Sequence, residues 1–254
     1  MLNNLILTVK ESILPSFDEQ KDVWLKSSYT LRRLVGVLGI LLPLLLPLQL
    51  LLTDHHGEVL ESISHYYFTK SGPLFIAIMS LLAIFLIIYK ETMTDFIISS
   101  AAGVFALCVV LFPTDSLIKS CVAEADRYIV TVLPIDEFRQ NFHYISASIF
   151  LGCLAYISLF LFTKNQPESN EDNEGALHLR RRLYRIFGII MVLSMLGVLL
   201  GSRFVNFEFL AAYKEMYNDF NLTFWFETIA VESFGFSWLA KGTEYKLNTK
   251  KQKS

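Results

Sequence analysis

Six apolar runs of roughly bilayer length recur along this chain, and no other feature restricts its fold so severely. The clearest are LVGVLGILLPLLLPLQLLL at 34–52 and HYISASIFLGCLAYISLFLFT at 143–163. The others lie at 73–89, 96–113, 186–201 and 222–240, the last reading LTFWFETIAVESFGFSWLA. A helix needs about 20 mostly apolar residues to cross the hydrocarbon core of a bilayer. Backbone N–H and C=O groups find no water there, so a helix is the conformation open to such runs. The expected fold class is all-α: a polytopic membrane bundle of six transmembrane helices.

The cations fit that layout. If six runs cross, 16 of the 22 Lys and Arg residues fall on the side shared by the N-terminus, the second and fourth loops and the C-terminus. The positive-inside rule then puts both termini in the cytoplasm, in a plasma or bacterial inner membrane. Three parts follow: an N-terminal segment over 1–30, the membrane domain over 31–242, and a basic tail over 243–254. In the first, Leu2, Leu5, Ile6, Val9 and Ile13 recur at helical spacing, which suits a helix on the inner leaflet or packed on the bundle. The fourth loop reads as a flexible acidic stretch followed by a basic cluster, Arg180 to Arg182 and Arg185, at the membrane surface. No signal-peptide pattern opens the sequence, so the first span is expected to direct insertion. A net charge of −2 gives no footprint for nucleic acid. Three cysteines without paired spacing argue neither a disulfide framework nor a cysteine metal site.

Small residues and prolines suggest how the helices pack. Pro43 and Pro47 predict a bend in the first run. Gly197 and Gly201 form a GxxxG face that permits close helix contact, within the chain or in a homo- or hetero-oligomer.

Polar residues gather toward one end of the bundle. The first loop supplies SISHYY, with Ser64 and His65; the third run ends in Asp115; the fourth opens with His143 and Ser146; the sixth carries Glu227 and Glu232. A carboxylate in hydrocarbon costs about 2.5–3.5 kcal/mol, so it faces protein or water. Five residues along a helix turn through about 500°, so the two acids point in different directions. Glu227 is expected to join the cluster and Glu232 to meet a neighbouring helix near the midplane. His143 reads as an interfacial residue or as a partner of Asp115 or Glu227.

SISHYY, Phe112-Pro113, His143 and the closing FGFSWLAKG resemble the DRAM/Sfk/Frag group and its bacterial relatives. That resemblance covers most of the membrane domain and implies a membrane-embedded, lipid-related role with no established catalytic activity. A more distant likeness is to alkaline-ceramidase-type hydrolases, which also place Ser, Asp and His around membrane helices. This chain lacks their closing HxxxH pair and has one span fewer.

The leading expectation is a pocket opening outward, lined by Ser64, His65, Asp115, His143, Glu227 and Glu232. It would bind a lipid headgroup or small ligand without a cofactor. One alternative is a metal-dependent lipid amide or ester hydrolase, with a metal such as zinc on His65, Asp115 and His143 and Glu227 as catalytic base. Another is ion or proton movement through Glu232 and Glu227. Reporter fusions after Gly57, Lys90, Pro134, Asn170 and Asn218 should alternate between the two membrane faces. Termini found on opposite faces would overturn the six-span layout.

Overall fold

A computed structural model describes residues 17–115, 128–164, 174–203 and 211–242, with side chains described over 30–115, 128–164, 175, 177–201 and 213–242. Among the described residues the long elements are all α-helices. They are α1 (Phe17–Asp54), α2 (Gly72–Ile88), α3 (Met93–Leu111), α4 (Glu137–Tyr156), α5 (Glu174–Arg203), the short α6 (Ala211–Asp219) and α7 (Leu222–Gly242). Four stretches are long and apolar enough to cross a membrane: Thr30–Asp54, Met93–Leu111, Glu137–Lys164 and Leu177–Gly201. These mark the chain as a membrane protein. α2 is apolar throughout but has 17 residues. α7 carries Glu227, Glu232 and Lys241, and falls outside that set of four.

Local chemistry sets the helix ends. Thr92 and Asp95 form a capping box at the start of α3: Asp95 N donates to Thr92 Oγ1 at 3.2 Å and Thr92 N to Asp95 Oδ2 at 3.0 Å. Asp136 caps α4 by accepting from the backbone of Phe138 and Arg139. His55 takes a left-handed conformation (φ 56°) just past α1, where its N–H reaches Leu51 O.

Two helices extend past their expected bounds. α1 begins at Phe17, so residue 30 falls within one helix. Pro43 and Pro47 both lie inside α1, which is continuous through them. α5 begins at Glu174 and takes in the arginine cluster, because Ala, Leu and Arg are strong helix formers and Tyr184 is buried there. The stretch 2–14, Cys121, the acidic residues 165–173 and the tail 243–254 lie outside the described residues.

α7 is the central helix, packed along α1 on one side and α5 on the other; α2 packs on α3 and α3 on α4. The α1–α7 seam closes on two facing glycines. A Cβ on Gly36 would come within 2.8 Å of Gly235 O, and one on Gly235 within 2.8 Å of Gly36 O. The GxxxG face of α5 is filled from within the chain: Gly197 meets the ring of Phe226 and Gly201 that of Tyr217.

Polar clasps close the ends. Opposite the first loop, Arg32 is 3% exposed; it pairs with Glu91 at 2.8 Å and donates from Nε to Tyr89 Oη at 3.2 Å. Arg33 Nε reaches Gly242 O at 3.0 Å, tying α1 to the end of α7. α4 runs into a π-helical turn, Ile157–Leu161, and then Phe162–Lys164. In that turn Ser158 Oγ donates to Tyr184 O at 3.0 Å and lies 2.7 Å from Ser237 Oγ, so Ser237 supplies the proton between the two hydroxyls.

Gly36→Leu or Gly235→Leu should cost about 1–3 kcal/mol by overpacking, read as earlier thermal unfolding in detergent. Gly175→Leu, with nothing within 4 Å, should change stability by less than about 0.5 kcal/mol.

Candidate functional site

The site starts from one turn in the first loop. SISHYY folds as a 3-10 turn over Ile63–Phe68, capped by Ser62 in extended conformation. Ser62 Oγ accepts from Ser64 N at 3.2 Å, the usual serine answer to an unpaired N–H at a helical start. The hydroxyl proton of Ser62 is then free to turn outward, and it meets Glu227 on α7, at 3.0 Å from Oε1 and 2.8 Å from Oε2. Ile63 N donates to the same carboxylate at 2.8 Å. The acid on the central helix is thereby paired with the turn.

Two residues on, Ser64 reaches a different helix. Its Oγ lies 3.0 Å from Nε2 of His143 on α4, and Nδ1 of His143 lies 2.9 Å from Phe112 O. A carbonyl only accepts, so Nδ1 carries the proton. In the neutral ring Nε2 is then the acceptor, and Ser64 Oγ–H is the donor. His143 is 3% exposed. Both ring nitrogens are occupied, so the expected pairing of His143 with Asp115 or Glu227 is replaced by Ser64 and a backbone carbonyl.

The turn is anchored on its far side as well. Tyr66 is fully buried; its Oη accepts from Leu60 N at 3.3 Å, and burial pushes the phenol up to about 12. Tyr66 therefore stays neutral at physiological pH. The loop before α4 pairs with the end of the turn: Val130 N donates to Phe68 O at 2.8 Å and Lys70 N to Tyr128 O at 3.0 Å. Lys70 also pairs with Asp54 at the end of α1.

Beneath the turn lies a cavity of about 60 Å³. A single water needs about 10–15 Å³, so the space is several times what one water requires. Its wall is apolar, with Leu42 of α1, Phe75 and Met79 of α2, Phe150 and Leu154 of α4, and Val231 and Phe234 of α7. Ser64 and Glu227 are its polar lining residues, and both belong to the turn end. From Glu227 to Phe234 is seven residues, about 10 Å along α7. Two more hydroxyls sit near this end, Ser146 one turn from His143 and Thr228 beside Glu227. Both are buried without a hydrogen-bond partner among the described residues.

The remaining expected site residues do not converge here. Asp115 lies 3.9 Å from Arg139, whose guanidinium also donates to Pro113 O and Pro134 O. His65 sits half-buried on the turn itself. Glu232 is part-exposed further along α7 and outside the cavity lining. Among the described residues no three His, Cys, Asp or Glu side chains gather closely enough to hold a metal ion. The ligand set His65, Asp115 and His143 thus has no common centre, because His143 and Asp115 are turned toward other partners. Ser62, one of the polar groups of SISHYY, and Arg139 are both outside the expected pocket lining. A serine immediately before a helical turn is the signal for the capping role of Ser62.

Comparison of the chain with protein-family models, with curated proteins and with solved structures finds no match. Removing the carboxylate tests the local wiring. Glu227→Ala leaves the Ser62 hydroxyl and the Ile63 N–H unpaired and should cost about 1–3 kcal/mol for each. Glu227→Gln, which keeps one acceptor oxygen, should cost less than Glu227→Ala. The checks are thermal unfolding in detergent and protease cleavage of the loop 55–71, which should accelerate in Glu227→Ala.

Proposed function

We propose that the chain is a six-span integral membrane protein with both termini in the cytoplasm. Its cavity takes in a part of the hydrocarbon chain of a lipid, with the polar head at the turn end facing outward. The single observation carrying this reading is the division of the cavity: apolar walls from several helices, with polar lining only at Ser64 and Glu227. An amphiphile has that same division. Pockets for small ligands are mostly apolar with a few placed polar groups.

The six-span layout is supported by the 16 to 6 distribution of cations and by the packing of the two helices outside the set of four. α7 is buried on much of its surface between α1 and α5, so it need not be as apolar as a lipid-facing helix. α2, at 17 residues, lies at the lower limit for a span. Headgroup chemistry suits the site. A carboxylate answers an amine, and a serine hydroxyl donates to an ester or hydroxyl oxygen and accepts from a hydroxyl. The resemblance to DRAM/Sfk/Frag proteins agrees with a lipid-related role.

Native mass spectrometry of the detergent-purified protein should show one lipid class retained per chain. Val231→Trp, which fills the cavity, should abolish retention while the protein stays folded. No retained lipid, together with no thermal stabilisation by any added membrane lipid, would remove this reading.

A further inference from the structure

The pairing of Ser64 with His143 has the parts of an acyl-transfer site. A nucleophilic serine needs a base within hydrogen-bond reach, about 2.6–3.2 Å, and a third group that orients the base. Here Ser64 Oγ–H points to Nε2 at 3.0 Å, and Phe112 O holds Nδ1–H at 2.9 Å. The carbonyl fixes the tautomer that leaves Nε2 as the base. The histidine is nearly sealed from solvent while the serine lines the cavity, so the nucleophile and not the base faces a bound ligand. Ser64 also sits where its backbone is held, its N–H bonded to Ser62 Oγ. The carboxylate nearby is engaged by Ser62 and Ile63, away from the histidine.

We propose that Ser64 is a catalytic nucleophile and His143 its general base, acting on the ester bond of a lipid whose acyl chain lies in the cavity. This rests on the lipid-cavity reading for the substrate class, though not for the nucleophile itself. In the first step Ser64 Oγ bonds to the ester carbonyl carbon as its proton passes to His143 Nε2. The tetrahedral adduct collapses, the bond from carbon to the alcohol oxygen breaks, and Nε2 returns the proton to that oxygen. Ser64 now carries the acyl group as an ester, and the alcohol leaves. Water then attacks the acyl carbon while losing a proton to Nε2. The Ser64 ester bond breaks, Oγ recovers the proton, and a carboxylic acid is released. No metal, oxidant or reductant enters this balance.

The test uses the full chain in detergent with two fluorophosphonates, one bearing a short ethoxy group and one a long alkyl chain. Intact mass and peptide mapping should show a single adduct on Ser64, absent in Ser64→Ala. His143→Gln, checked for folding by thermal melt, should slow labelling about 10²–10⁴-fold. The wild-type rate should rise with pH along a single imidazole titration, which a merely structural hydroxyl would not do. Ser64→Cys reports access through alkylation by iodoacetamide. An alkylated cysteine alongside unlabelled wild type shows a reachable but unactivated serine and overturns the proposal. A cysteine that cannot be alkylated, alongside unlabelled wild type, shows a sealed serine and overturns it too. Labelling by both probes at equal rate, with no lipid retained, keeps the nucleophile and removes the lipid cavity. Retained lipid with unlabelled Ser64 keeps the cavity and removes the nucleophile.

Discussion

The bond between Glu227 and the turn at Ser62 and Ile63 is the contact on which the loop end of this bundle depends. A carboxylate on the central helix cannot be left without donors in so apolar a surrounding. The donors come from 165 residues earlier in the chain. Meeting them seats the first loop over α7, together with the buried Ile63, Tyr66 and Phe68 and the pairing of Phe68 and Lys70 with the loop before α4. With the turn seated there, Ser64 reaches His143 on α4. The Ser64–His143 bond and the roof of the cavity thus share the support of one satisfied acid.

At the other end a different solution holds. Arg32, Glu91 and Tyr89 form a charge-assisted group in which Arg32 and Tyr89 are buried and Glu91 is open to solvent, and Arg33 binds the terminal carbonyl of α7. Such a pair adds little net stability, since desolvation of the arginine and solvent around the carboxylate both oppose the attraction. Their geometry is directional, however, so the Arg32 group positions α1 against the connection between α2 and α3, and the Arg33 bond positions it against α7. The facing glycines Gly36 and Gly235 allow the two backbones to approach between those ends. Close approach in the middle and directional bonds at both ends give a bundle with little freedom to shift.

The helices were legible because length and hydropathy are properties of single segments. Their ends were less so. The arginines before Tyr184 read as a loop because they are charged, yet helix propensity and one buried aromatic carry α5 through them. The site was half legible. Ser64, His143 and Glu227 were recognised as polar groups at one end, but who pairs with whom depends on helix rotation, which no spacing within a segment encodes. Asp115 is drawn off by Arg139, a competitor from a loop without pattern. The Ser158–Ser237 pair left no mark in the sequence, since serines in apolar runs are ordinary.

The π-helical turn in α4 has a geometric effect worth following. His143 at one end of that helix and Phe162 at the other both face inward. They are nineteen residues apart, and at roughly 100° per residue an unbroken α-helix would leave them about a quarter-circle out of phase. One wider turn absorbs the mismatch. It is in effect a single surplus residue, stored where Ser158 can bind its neighbours. Removing one residue from Ile157–Leu161 would return the turn to ordinary α-helix with both ends still facing inward, whereas tightening the turn at full length would swing Phe162 about 100° away from the core while the histidine end kept its aim.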